Sequence, residues 1–137
     1  MAAKDTYTVV KREEAYDFMG QYPGFGEMRL YTEELGDEQV AFTWRSMPEK
    51  TGGKGSYGHR HKTQEEVYFV ISGTGVQFKL DDDVIDVEPG TAVRIGPDVV
   101  RSVWNDGPGD AELVICSKKI ENAADDSVPV EEFWPVD

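Results

Sequence analysis

The chain has 137 residues, with 14 Lys or Arg against 27 Asp or Glu, so its formal charge is −13. That field repels nucleic-acid backbones and anionic lipid, and no basic stripe opposes it, so neither nucleic acid nor a membrane is expected as a partner. With 39% hydrophobic and 11% aromatic residues, the composition is that of one folded domain burying about two-thirds of its unfolded surface.

The opening MAAKDTYTVV lacks the apolar core of a secretory signal. No later stretch approaches the roughly 18 apolar residues of a membrane span, so a cytoplasmic protein is expected. KREEAYDFM, at 11–19, suits a short helix. From about residue 25 the chain reads as short strands parted by turns. GEMRLYTEEL and QVAFTWRSM flank Gly36-Asp37, and EVYFVIS ends at Gly73-Thr74-Gly75. VQFKL alternates up to the acidic turn Asp81-Asp82-Asp83, and VIDV, TAVRI, VVRSVWN and AELVICSKK follow between Gly- and Pro-bearing turns. β-rich runs with turn signals every 8–12 residues or so predict an all-β sandwich or barrel with little helix. The expected organisation is an N-terminal segment over 1–24, a strand-rich body over 25–118, and an acidic tail over 119–137. Phe133 and Trp134 should dock that tail on the body.

The chain holds only two histidines, and both fall in the tripeptide His59-Arg60-His61. On a strand, side chains two apart leave the same face with Cα atoms about 6.6 Å apart, so both imidazoles can reach one ion. The intervening KTQ suits a turn, after which Glu66 can return a carboxylate to the same place. Two histidines and one carboxylate with open positions is a ligand set for non-haem iron, and imidazole also suits Mn, Ni and Zn. An H-x-H alone is a weak signal, because an exposed strand face can carry two histidines with no chemical role.

The wider spacing is more specific. Gly53, five residues, His59-x-His61, four residues, Glu66, six residues and Gly73 resemble the first signature of the cupin superfamily, G-x5-H-x-H-x3–4-E-x6-G, at every fixed position. The second signature, roughly G-x5-P-x-G-x2-H-x3-N, begins at Gly90 and ends at Asn105 but is degenerate between them. Gly96 stands in place of proline, Asp98 in place of glycine, and Arg101 in place of the last histidine ligand. The resemblance implies a single jelly-roll β-barrel over 25–118, with His59, His61 and Glu66 pointing into it. It also implies a homodimer in which residues 1–24 can be exchanged between subunits. It leaves function open, since the family spans oxygenases, isomerases, storage proteins and sensors.

Arg101 divides the functional readings. A guanidinium gives no lone pair to a metal, and near a divalent cation it repels by several kcal/mol at an effective dielectric of about 20. In one reading His59, His61 and Glu66 hold a divalent metal (Fe, Mn, Ni or Zn), Arg101 clamps a small anionic molecule, and the first guess is a metal-dependent oxygenase or isomerase. In another there is no metal, and Arg101 and the histidines bind or sense a small anion, or act as a metal-independent sugar isomerase or epimerase. A third makes Glu66–Arg101 a buried ion pair with no ligand. Tyr68, two residues past Glu66, should share its inward face and line the pocket for the ligand. Trp44, Phe42, Met28 and Phe78 are further wall candidates by alternation. TGGKGS is no P-loop, because Lys54 is followed by glycine. Cys116, in an apolar run, reads as structural.

Overall fold

The computed structural model describes residues 2–3 and 6–136, so the outermost parts of the predicted segments 1–24 and 119–137 lie outside the described residues. The strands are β1 (Ala2–Ala3), β2 (Thr8–Val9), β3 (Tyr16–Asp17), β4 (Glu27–Leu30), β5 (Val40–Met47), β6 (Thr51–Gly52) and β7 (Gly58–His61). Then follow β8 (Glu66–Ser72), β9 (Val76–Leu80), β10 (Asp83–Asp86), β11 (Ala92–Ile95), β12 (Arg101–Asn105), β13 (Ala111–Lys118) and β14 (Ser127–Val130). Helix is confined to single turns, among them α1 (Thr32–Leu35) and α2 (Ala123–Asp126). The helix expected over 11–19 is instead two 3₁₀ turns, Arg12–Glu14 and Phe18–Gln21, around the short β3. The second half of GEMRLYTEEL is α1, closed by Gly36 in the left-handed region.

The strands form two six-stranded sheets plus the small β1–β2 pair. One sheet runs β10-β9-β12-β7-β14 with β6 beside β12, and the other runs β11-β8-β13-β5-β4-β3. This corrects the expected jelly-roll barrel. The fold is mostly strand, but the two sheets are separate and are not closed on one another. The reason lies in the pairing and the edges. The chain crosses between the two sheets seven times, at 48–50, 62–65, 73–75, 87–91, 96–100, 106–110 and 119–126, and among the described residues no strand of one sheet pairs with a strand of the other. β14 forms one edge of its sheet, and Pro129 within it has no N–H to offer a further strand.

The inner faces of the two sheets share one core. Met47, Val70 and Leu113 from one sheet meet Val76, Phe78 and Val103 from the other, with Ile95 of β11 packed among them. Each such side chain contributes about 1.5–3 kcal/mol by leaving water. Along β8 the alternation is strict: Glu66, Tyr68 and Val70 face inward, while Val67, Phe69 and Ile71 are exposed. Two of the fixed glycines also have local reasons. A Cβ at Gly53 would run into the Ser102 hydroxyl, and one at Gly73, where φ is +108°, would come within 2.5 Å of Ala111 Cβ. Trp134 near the C-terminus is buried, and its N–H donates to the Ser56 carbonyl. Lys79 Nζ lies 3.8 Å from the centre of the Phe133 ring.

Candidate functional site

β7 delivers the histidines. It lies between β12 and β14, with His59 opposite Arg101 on one side and His61 opposite Ser127 on the other. Residues 62–65 then carry the chain to the facing sheet, where Glu66 opens β8. The two strands come from different sheets, and their side chains meet between them. His59 Nε2 lies 3.9 Å and His61 Nε2 3.5 Å from the same Glu66 oxygen. The imidazoles pack edge to face with centroids 5.1 Å apart. The ligand atoms of His59, His61 and Glu66 all fall within 4.8 Å of one another.

Each of the three is held by neighbours. The His61 Nδ1 lies 3.2 Å from Asp126 of α2. That carboxylate also accepts from the Thr63 N–H at 3.0 Å, the Thr63 hydroxyl at 2.7 Å and the Gln64 N–H at 3.0 Å. Burial opposes the Asp126 charge, but these hydrogen bonds outweigh it and hold the carboxyl below its usual range. An ionised Asp126 can only accept, so His61 presents Nδ1–H to it and turns Nε2 toward Glu66 and His59. That Nε2 is buried and has no hydrogen-bond partner. Burial, and then the charges of Arg101, His61 and Arg45, push His59 down to about 4, so it is neutral at physiological pH. Burial and the nearby Glu66 raise Tyr68, which stays protonated and donates to Glu66 at 3.1 Å.

Arg101 is fully buried. Its Nε stands 3.4 Å from Glu66 as an ion pair, without the alignment of a hydrogen bond. Its remaining nitrogens donate to the carbonyls of Ile95, Gly96 and Pro97 at 3.1–3.4 Å. It stands behind Glu66, and it is not among the residues lining the cavity that opens in front.

That cavity has a volume of about 780 Å³ and reaches His59, His61, Glu66 and Tyr68. Its other walls are largely apolar: Phe18 and Tyr16, Met28 and Leu30 of β4, Ile115 of β13, and Ala123 and Ala124 of α2. Among the wall candidates drawn from alternation, Met28 lines it and Phe78 lies in the core. Phe42 and Trp44 face the opposite side of β5, where they border a shallow depression with Glu112. Two polar residues were not anticipated. Asp126 gave no local signal, being 65 positions from the histidine it holds. Arg45 enters the cavity from β5 between the outward Trp44 and Ser46, and its phase could have been fixed by the buried Met47 two residues on.

The ligand atoms suit a metal. Bonds of about 2.0–2.2 Å place neighbouring ligands about 3 Å apart around an ion. The 3.5 and 3.9 Å separations are close to that, and the Nε2 of His61, without a hydrogen-bond partner, is the ring nitrogen left to face an ion. A family model described as a cupin domain matches residues 48–117, half of the chain. The chain belongs to the cupin family.

A curated relative, an uncharacterized protein of Methanocaldococcus jannaschii, is 30% identical over 59 residues, covering 43% of this chain and 46% of its own. The chain thus spans about half the length of the curated relative it matches. Among solved structures, a cupin protein of Bacteroides fragilis superposes with a TM-score of 0.67 at 18% identity, covering 87% of this chain and 89% of that one. The polyketide cyclase RemF of Streptomyces resistomycificus gives 0.64 at 16% identity, over 81% of this cupin and 78% of that chain. At such identities the likeness extends to the fold alone. Among the described residues no helix is long and apolar enough to cross a membrane.

Proposed function

We propose that this cupin holds a divalent metal on His59, His61 and Glu66 and takes a small anionic molecule into the adjoining cavity. The observation that carries the reading is the buried His61 Nε2, which has no hydrogen-bond partner while Asp126 fixes the proton on the other ring nitrogen. An imidazole oriented by a carboxylate is the arrangement that metal-bound histidines require. Three protein ligands leave coordination positions open, so a bound Fe, Mn, Ni or Zn ion would supply a Lewis acid or an oxygen-activating centre facing the cavity. The protein's own groups do the rest. Tyr68 and Arg101 hold the Glu66 oxygen in place, and Met28, Leu30 and Ile115 give the cavity an apolar wall beside it.

The Arg101–Glu66 contact favours a second reading, a metal-free binding or sensing module. Titration calorimetry with Mn²⁺ and Zn²⁺ separates the two. Stoichiometric binding by the wild type that His61→Ala abolishes supports the metal centre. Absence of heat with either ion overturns it.

Residues 25–118 are proposed to carry the metal ligands, with 1–24 available for exchange in a homodimer and 119–137 packed on the body, while Tyr16, Phe18, Ala123 and Ala124 complete the cavity wall. The exposed row Val67, Phe69 and Ile71 on β8 supports pairing. A monomer mass by light scattering at micromolar concentration would count against it.

A further inference from the structure

Arg45 is the charged group of the cavity that nothing yet explains. It lines the same space as His59 and Glu66, from β5 of the sheet that also carries Glu66 and across from the sheet that carries His59. Its Nε is closed off from solvent and has no hydrogen-bond partner among the described residues. The charges that act on it in its favour are those of Tyr68 and Tyr57, neither of them a carboxylate, while burial works against it. The residue as a whole is half-buried, so the enclosed Nε goes unpaired while the end of the guanidinium faces the cavity without a carboxylate partner. Arg101 shows the contrast: it is more deeply buried, yet it is partnered by Glu66 and three carbonyls.

We propose that Arg45 anchors the carboxylate of the pocket's ligand, and that this ligand is a monocarboxylate with an apolar body. The inference rests on the reading of this cavity as the ligand site, but not on the metal. A single guanidinium presents a planar fork that matches one carboxylate in two parallel hydrogen bonds. The other cation of the lining, Lys119, is committed to the Asp37 carbonyl at 2.7 Å. Glu33 and Glu34 border the same cavity, which disfavours a dianion such as a phosphate monoester. Met28, Leu30, Ile115 and Phe18 form the apolar surface beside which the body would lie.

The test uses the full chain and fluorine NMR with 4-fluorobenzoate, 4-fluorophenylacetate and 4-fluorophenylpyruvate as probes. The uncharged 4-fluorobenzamide and the dianionic 4-fluorophenyl phosphate serve as comparisons. At least one carboxylate should bind the wild type, with the amide and the phosphate at least tenfold weaker. Arg45→Met should lose at least tenfold of that affinity, and Arg45→Lys should recover part of it. The metal affinity of Arg45→Met should stay within a few-fold of wild type, and its ligand-free thermal midpoint should be no lower, since an unpartnered charge has been removed. Failure of all three carboxylates to bind overturns the proposal, as does equal binding by Arg45→Met, by the amide or by the phosphate. A clear loss of stability in Arg45→Met also overturns it, by making Arg45 structural. Carboxylate binding through Arg45 in a protein that takes up no metal would refute the metal centre and leave this inference standing.

Discussion

His59 makes the low-pH behaviour of the metal-stripped protein a quantitative test of the site's electrostatics. Its pKa is pushed from 6.5 to about 4 by burial and by the nearby Arg101, His61 and Arg45. Above about pH 6.5 the imidazole is neutral in both folded and unfolded chains and contributes nothing to the pH dependence. As the pH falls below 6.5, the unfolded chain takes up the proton first, and folding stability drops until about pH 4. For a shift of that size the loss between about pH 7.5 and about pH 4.5 would be about 2.5 kcal/mol. The side chain keeps 31% of its surface exposed, so screening reduces the expected loss to about 1–2 kcal/mol. The carboxylates titrate over the same range, so urea unfolding of chelator-treated wild type must be compared with His59→Asn. The wild type should lose about 1–2 kcal/mol more than the variant over that span. Equal losses, or a smaller loss in the wild type, would refute the burial of His59 and the positive charge set around it.

Asp126→Asn should weaken Mn²⁺ or Zn²⁺ binding by about 10–100-fold in calorimetry, because the amide no longer holds the His61 tautomer. Unchanged affinity would show that Asp126 only pins α2. Arg101→His removes a guanidinium 3.4 Å from Glu66 and offers a third imidazole as a fourth ligand. The repulsion removed is about several kcal/mol at an effective dielectric of 20, so metal affinity should rise by about tenfold or more. No rise would refute the view that Arg101 opposes the ion.

How much of this was legible in the sequence follows from the range of each interaction. The juxtaposition of His59 and His61 depends only on the two-residue period of a strand, and Glu66 follows across one short turn. The degenerate second signature likewise marked Arg101, opposite His59 in the sheet. β5 was harder, because both of its faces carry apolar residues. Phe42 and Trp44 lie on one side and Ala41 and Met47 on the other, so alternation alone did not set its phase, and Arg45 was passed over. Asp126 lies in an acidic tail that the sequence docks only through Phe133 and Trp134. Its partner is 65 positions away, and only the folded chain brings them together. The strand pattern also serves closed and open sheets alike. Closure depends on whether edge strands of the two sheets pair, and among the described residues no such pair forms.

The central claim, a metal on His59, His61 and Glu66, is tested most directly by elemental mass spectrometry of tag-free protein, with Glu66→Gln prepared in parallel. Near one Fe, Mn, Ni or Zn per chain in the wild type, falling sharply in Glu66→Gln, is the expected result. Protein that is metal-free as isolated and stays so after incubation with each ion would contradict the claim, and so would a metal content that Glu66→Gln leaves unchanged.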